Sequence, residues 1–216
     1  MSVEEEKQLA AGAASEMVRD SMRVGLGTGS TVAYLLAALA QRKSRAHFVA
    51  TSPRTEEAAR ALGLDVGDFD TLDRLDLAID GADQVGANGW LIKGAGGAHT
   101  REKIVAAAAD RFVVIADSTK LVKVLHPPVP LELLSFGLKA TLNLIGSTTL
   151  RGGAKSPDGG VLADYFGQFV SPEEVAQRLA ATPGVVEHGI FNRSLVTDFI
   201  VATGDSIRSS TIGGNQ

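Results

Sequence analysis

Residues 23–43 read RVGLGTGSTVAYLLAALAQRK. The first five, RVGLG, have the length and apolar content of a short buried strand, and STVAYLLAALAQRK (30–43) repeats its apolar residues at helical spacing. The Ser/Thr start of that second stretch suits a helix N-cap. A strand that passes through a glycine-rich turn into a helix is the building unit of an α/β sheet. Its neighbours continue the alternation. Residues 3–19 read as a helix, AHFVATS (46–52) as a strand, and SPRTEEAARALG (52–63) as a helix with Ser52 as N-cap, Pro53 in the first turn and Gly63 at the close. LDVGDF (64–69) and LDLAID (75–80) read as strands, HTREKIVAAAA (99–109) as a helix, and FVVIAD (112–117) as another strand. Apolar runs without polar interruption indicate a mostly parallel sheet covered on both faces.

HPPVP (126–130) breaks this rhythm. After it come strand-like PLELL, helix-like SFGLKATLNLIG, strand-like STTLR and GVLADYF, the helix SPEEVAQRLAAT and strand-like GVVEHGIF. That β-α-β-β-α-β order is the split βαβ, ferredoxin-like arrangement. LVTDFIVATG (195–204) then suits a return to the first sheet. The expected fold class is therefore α/β, a Rossmann-like, mostly parallel sheet domain carrying an inserted, smaller ferredoxin-like α+β domain. The expected division is 1–126 plus about 200–216 for the first and 127–199 for the second. The tail SIRSSTIGGNQ (206–216) is polar and glycine-rich, the composition of a disordered terminus.

The 216 residues suffice for one large domain or one and a half. A formal net charge of −4 gives no electrostatic reason to expect nucleic acid or an anionic membrane as partner, so an anionic substrate needs a local site. The absence of cysteine excludes disulfides, thiolate metal sites and a Cys nucleophile, and fits a reducing compartment. MSVEEEKQL at the start is acidic and has no apolar signal-peptide core. The longest apolar run, VAYLLAALA, falls far short of the ~20 residues of a membrane span, so a cytoplasmic location is expected.

GLGTGST (25–31) has the marks of an anion site: three glycines permit a sharp turn and close approach, a helix start follows, and Thr28, Ser30 and Thr31 add hydroxyls. Its G-x-G-x-G spacing is not that of a dinucleotide fingerprint. The next strand ends in Thr51-Ser52 rather than in an acid, and no P-loop Lys-Ser/Thr is present. A small phosphorylated or polyhydroxy ligand fits better; the competing reading is a tight turn with a Ser/Thr cap and no ligand.

Asp80 and Asp83 lie just past the end of another strand, and Lys93 and Glu102 bracket the second glycine-rich turn, in IKGAGGAHTREK. Ligands of open parallel sheets bind beyond the carboxyl ends of the strands, where these groups would gather. Three acids in one crevice cannot all ionise cheaply, so one is expected to have a raised pKa and to serve as a base near neutral pH. Lys93 would balance a phosphate or a developing oxyanion. The set suits proton abstraction beside a carbonyl. Each acid also has a plain structural reading, Asp80 as a turn cap and Glu102 as a first-turn acid favouring the helix dipole. The same carboxylates suit Mg²⁺, against which Lys93 argues mildly. His99 reads as a solvated loop histidine, and His47, His126 and His188 lack zinc-ligand spacing. Asp117 and Lys120 in ADSTK repeat the strand-end theme.

Taken together, GLGTGST, TSPRTEEAARALG, DGAD, KGAGGAHTREK, IADSTK, PLEL and PGVVEHGIF resemble the type A ribose-5-phosphate isomerases in order and spacing over nearly the whole chain. The resemblance implies reversible interconversion of D-ribose 5-phosphate and D-ribulose 5-phosphate in the pentose phosphate pathway, through a cis-enediol, with no metal and no organic cofactor. It implies Glu102 as catalytic base, with Asp80, Asp83 and Lys93 assisting ring opening and steadying the enediolate. It implies substrate binding by Thr28, Gly29, Ser30 and Thr31, by Gly81 and Ala82, by Lys93 with Gly94, Ala95 and Gly96, and by Lys120. It implies a homodimer or homotetramer whose only other partner is a small phosphorylated sugar. Gln84 departs from the Glu usual after DGAD, 136–152 looks shortened and divergent, and SPDGGVLADYFG lacks the Asn residues common in that turn. The rivals are a non-catalytic phosphosugar-binding sensor domain, an amino-sugar phosphate deaminase-isomerase and a CoA transferase on a similar sheet.

Overall fold

The computed structural model describes residues 1–211. Its elements in chain order are α1 (Val3–Ser15), β1 (Arg23–Leu26), α2 (Ser30–Gln41), β2 (His47–Ala50), α3 (Pro53–Ala61), β3 (Leu77–Gly81), β4 (Gln84–Gly86), β5 (Leu91–Ile92), α4 (His99–Ala108), β6 (Phe112–Asp117) and β7 (Leu121–Val122). There follow β8 (Val129–Leu133), α5 (Leu138–Ile145), β9 (Thr148–Lys155), β10 (Val161–Tyr165), α6 (Pro172–Ala180), β11 (Val185–His188), β12 (Ile190–Phe191), β13 (Asp198–Thr203) and β14 (Ser206–Thr211). Two compact units result: 1–82 with 101–121 and 194–216, and 83–100 with 122–193. The sequence reading had kept 83–100 in the first domain; here that segment groups with the second unit.

The first unit holds a six-stranded sheet in the order β14-β13-β6-β3-β1-β2. Five strands are parallel, and β14 adds an antiparallel edge. The central strand β6, FVVIAD, is buried along its whole length, which explains its lack of alternation. Because β1 leads to β2 on one side while β3 lies on the other, the strand order reverses between β1 and β3. A crevice opens at such a point in α/β sheets. Leu35, Leu36 and Leu39 of α2 and Ala10, Ala11 and Ala14 of α1 pack with Leu26, Ile79 and Ile115 of the sheet in one core. The alanine face of α1 brings that helix close. Glu6, buried in α1, accepts hydrogen bonds from Ser118 Oγ (2.7 Å), Ser118 N (2.9 Å) and Gly204 N (2.7 Å). The Ser118 hydroxyl, then the Gly204 and Ser118 amides, hold its carboxyl below the usual carboxylate range.

The second unit contains a four-stranded antiparallel sheet in the order β11-β8-β10-β9, the ferredoxin-like order of its β-α-β-β-α-β chain. Ile145 of α5 and Val175 and Leu179 of α6 pack with Val129, Leu131, Ala163 and Tyr165 of the strands. A short ribbon pairs β12, β5 and β4 antiparallel.

Four expectations need correction. LDVGDF forms no strand: Val66 makes one bridge to Phe48, and Phe69–Thr71 coil into a 3₁₀ turn. The Asp68 carboxylate accepts from Asp70 N, and such a local bond competes with a sheet ladder. GVVEHGIF is broken at Gly189, where a Cβ would lie 2.1 Å from the Lys93 carbonyl oxygen. Gly189 O accepts from Lys93 N (2.8 Å) and Gly189 N donates to Pro130 O (2.7 Å), so this glycine is a junction that fixes Lys93. His99 is fully buried rather than solvated. Finally, 206–211 of the tail are strand β14, with 212–216 outside the described residues.

Asp198 fastens that last strand. Its carboxylate accepts from Thr211 Oγ1 (2.9 Å), Thr197 Oγ1 (2.8 Å) and both Nε and Nη2 of Arg111 (3.2 and 3.0 Å). Burial pushes the carboxyl up, but these bonds and the guanidinium charge outweigh it and hold the pKa below the ordinary value. A carboxyl with a depressed folded-state pKa stabilises the fold fully above the unfolded pKa of about 3.9 and loses that contribution as pH falls through the folded value. Asp198→Asn is therefore expected to cost about 1–3 kcal/mol in denaturant titrations at pH 7. The deficit should shrink when wild type and variant are compared near pH 3. A deficit independent of pH would show that the charge on Asp198 contributes nothing.

Candidate active site

In the first unit the site grows from the β1–α2 turn. Its three glycines have three different reasons. A Cβ on Gly25 would meet Val105 Cγ1 at 2.3 Å, so this glycine seats α4 against β1. A Cβ on Gly27 would lie 1.8 Å from Cγ and Oδ1 of Asp80, so this glycine makes room for a carboxylate. Only Gly29, at φ 140°, needs a backbone conformation that other residues avoid. The sequence reading gave all three to ligand approach; two of them instead place protein groups.

Asp80, buried at the end of β3, accepts from Thr28 N (3.1 Å) and Gly81 N (2.7 Å). Gly27 N donates to Ile79 O (3.0 Å), so the two strand ends are laced together at the reversal point. The Thr28 hydroxyl is turned inward. It lies 3.0 Å from Thr51 Oγ1, 2.8 Å from Ser52 Oγ and 3.2 Å from Thr55 Oγ1. Thr55 Oγ1 in turn donates to Gly27 O (3.0 Å). Thr55 escaped the sequence reading, though a strand ending in Thr-Ser with another Thr one helical turn on was the available signal. Gly29 and Ser30 are exposed and Thr31 is buried. The N-terminus of α2 has Gly29 at its cap and no side-chain cap, so its first-turn amides remain available to an anion.

Glu102 is buried in α4, on the same helix face as Val105 one turn later, which rests on Gly25. Lys120 ends the 3₁₀ turn Ser118–Lys120, whose first residue is tied to Glu6. Thus Thr28–Thr31, Asp80, Gly81, Ala82, Glu102 and Lys120 belong to the first unit.

Asp83, Lys93, Gly94, Ala95 and Gly96 belong to the second, so the chain passes from one unit to the other inside the DGAD motif. Asp83 Oδ2 accepts from Ala95 N (2.8 Å), closing the glycine-rich turn onto the motif. Lys93 is buried, with Nζ 5.4 Å from the centroid of the Phe191 ring, a cation–π distance. His99 packs beneath the turn, where a Cβ on Gly94 would meet its Nδ1 at 2.8 Å. Gln84 uses both ends of its amide on one backbone, Nε2 donating to His126 O (2.8 Å) and Oε1 accepting from His126 N (3.0 Å). Among the described residues no group of three or more His, Asp or Glu side chains is placed to hold a metal ion, and no helix is long and apolar enough to cross a membrane.

Known proteins resemble this chain in sequence and fold. The profile of the family "Ribose 5-phosphate isomerase A (phosphoriboisomerase A)" matches residues 47–206. Ribose-5-phosphate isomerase A of Rhodopseudomonas palustris (strain HaA2) is 42% identical over 230 residues, covering 97% of this chain and 98% of its own. The solved structure of a D-ribose-5-phosphate isomerase in complex with phospho-erythronic acid superposes with a TM-score of 0.91 at 33% identity, covering 98% of this chain and 100% of that one. Ribose 5-phosphate isomerase A of Methanocaldococcus jannaschii gives a TM-score of 0.91 at 32% identity, with 98% and 100% covered. From motif, fold and near full-length likeness, the chain belongs to the ribose 5-phosphate isomerase A family.

Proposed function

We propose that the ribose-5-phosphate isomerase reaction of this chain, in the pentose phosphate pathway, runs by proton transfer through a cis-enediol with Glu102 as the base. The observation that carries the assignment of the site is the seat of Asp80. A buried carboxylate is held by the Thr28 and Gly81 amides beside the open N-terminus of α2, at the point where the strand order reverses. The α2 amides with Ser30, Thr31 and Lys120 suit a phosphate, and the Asp80 carboxylate suits sugar hydroxyls.

In the forward direction the Glu102 carboxylate takes the C2 proton of the open aldose. The C–H electron pair forms the C1–C2 double bond, and the carbonyl pair moves to O1. Lys93 Nζ and the amides of Gly94–Gly96 balance that oxyanion, as preorganised donors do. The O2 proton passes to O1, which becomes the hydroxyl. The O2–H electron pair forms the C2 carbonyl, and the C1–C2 double-bond pair takes the proton back from Glu102 at C1. Asp80 and Asp83 relay hydroxyl protons, from the anomeric hydroxyl to the ring oxygen as the ring opens and from O2 to O1 in the enediol. No step calls on a metal or an organic cofactor. A homodimer or homotetramer is part of the proposal; the exposed apolar side chains Phe136, Leu144, Phe166 and Val170 of the second unit suit association. A cytoplasmic setting agrees with the cysteine-free, acidic sequence.

Purified protein given D-ribose 5-phosphate in EDTA should form ketose at the untreated rate, and Glu102→Gln should cut kcat about 10²- to 10⁴-fold with the fold kept. Near-normal turnover in that variant would remove Glu102 from its role. Activity lost in EDTA and restored by Mg²⁺ would favour metal chemistry, and tight binding without turnover would favour the sensor. A second variant probes Asp80 through its seat: Gly27→Ala should displace the carboxylate and lower kcat/KM about 10- to 100-fold. Its effect should not add to that of Asp80→Asn, because both act on one interaction. Additive losses would mean that Gly27 serves some other contact.

A further inference from the structure

Arg151 lies in β9, and nothing in the sequence marks a role for it. All three nitrogens of its guanidinium donate. Nε and Nη2 donate to Oδ2 and Oδ1 of Asp164 on the neighbouring strand β10 (2.8 and 2.6 Å), a bidentate pair that fixes the plane of the group. Nη1, on the free side of that plane, donates to Gly94 O (2.8 Å) and to Ala95 O (3.2 Å). Both carbonyls belong to the KGAGG turn.

The Gly94–Ala95 peptide is gripped at both ends, its carbonyl by Arg151 and its N–H by Asp83 Oδ2. The Ala95–Gly96 peptide has its carbonyl on Arg151, and in a trans peptide the N–H points the opposite way. The Gly96 N–H is therefore directed away from the guanidinium, and Gly96 is exposed. Gly94 stands at φ 114° with His99 and Pro130 against it, so the turn is anchored below while Arg151 fixes its upper peptides.

We propose that Arg151 is a positioning residue for the isomerase: backed by Asp164, it holds the Gly94 and Ala95 carbonyls so that the turn presents the Gly96 N–H to the substrate. The proposal rests on the reading that residues 93–96 bind the sugar phosphate. Lysine cannot replace the group, because one ammonium cannot meet a carboxylate bidentately and two carbonyls at fixed angles.

The experiment compares wild type, Arg151→Ala, Arg151→Lys and Asp164→Asn in steady-state isomerisation of D-ribose 5-phosphate, with thermal melts of each. A wild type without turnover would sink the isomerase reading itself, separately from the clamp. With an active wild type, Arg151→Ala is expected to lose about 10- to 100-fold in kcat/KM. Millimolar guanidinium should restore part of that loss without shifting the melt, and Arg151→Lys should stay impaired although folded. Hydrogen exchange should quicken at the Ala95 amide, which Asp83 holds, and stay unchanged in β8 and β10. Wild-type kinetics in a folded Arg151→Ala overturn the clamp, as does a loss that tracks the melting temperature and ignores guanidinium. Should Arg151→Ala fail to fold, the lysine variant decides: full activity there overturns the proposal, and impaired activity with a normal melt supports it.

Discussion

A carboxylate buried at the end of a strand is costly unless donors meet it, and the placement of Asp80 depends on two conditions. Gly27 must have no side chain, since a Cβ would sit 1.8 Å from the carboxylate. The Thr28 amide must face Asp80 Oδ1, at 3.1 Å. Both conditions fall on the turn after β1 and both concern the end of β3, so this contact welds adjacent strand ends where the sheet reverses its order. Gly25 extends the same logic one pleat earlier: removing its side chain lets Val105 settle on β1 and fixes the height of the helix that carries Glu102. The glycines of GLGTGST are thus largely internal fittings, and what they leave open outward is the N-terminus of α2.

The second glycine-rich turn is built differently. Its backbone is held from its edges by side chains, Asp83 on an N–H and Arg151 on two carbonyls, with Lys93 pinned through Gly189. Charged hydrogen bonds to backbone are stronger than neutral ones, and each orients a whole peptide plane. A glycine-rich turn fixed in this way has its donors arranged before a ligand arrives, which lowers the reorganisation left for the reaction itself.

Most of the architecture was legible because apolar periodicity and turn chemistry agreed along the chain. FVVIAD could only be a central strand, and SPRTEEAARALG carried its own cap, proline and stop. LDVGDF failed because Asp68 satisfies a neighbouring backbone amide locally, a preference that alternation does not register. The tail failed because a polar edge strand has the composition of a loose end; its order comes from antiparallel pairing with β13, which Asp198 reinforces by accepting from Thr211, 13 residues away. The motif residues of the site were visible as strand-end acids and glycine turns. Thr55 was legible only through the Thr-Ser strand end one turn before it, and Arg151 was not legible at all, because its role is a contact across 57 residues of chain that nothing local marks.

Gln84, where the resemblance leads to the expectation of Glu, can be read physically. Its amide donates to one backbone group of His126 and accepts from another, a pairing that a carboxylate cannot reproduce. An ionised Glu there would accept from the His126 N–H and confront the His126 carbonyl with a second negative oxygen, so it would bind only protonated or with a displaced partner. The amide avoids that conflict in a buried position directly after Asp83. It also withholds a further negative charge from a segment that already carries Asp80 and Asp83, whose oxygens accept backbone N–H bonds. The amide therefore acts on the anchoring of β4 and on the local charge, and it leaves the bonds that Asp80 and Asp83 accept from Thr28, Gly81 and Ala95 in place.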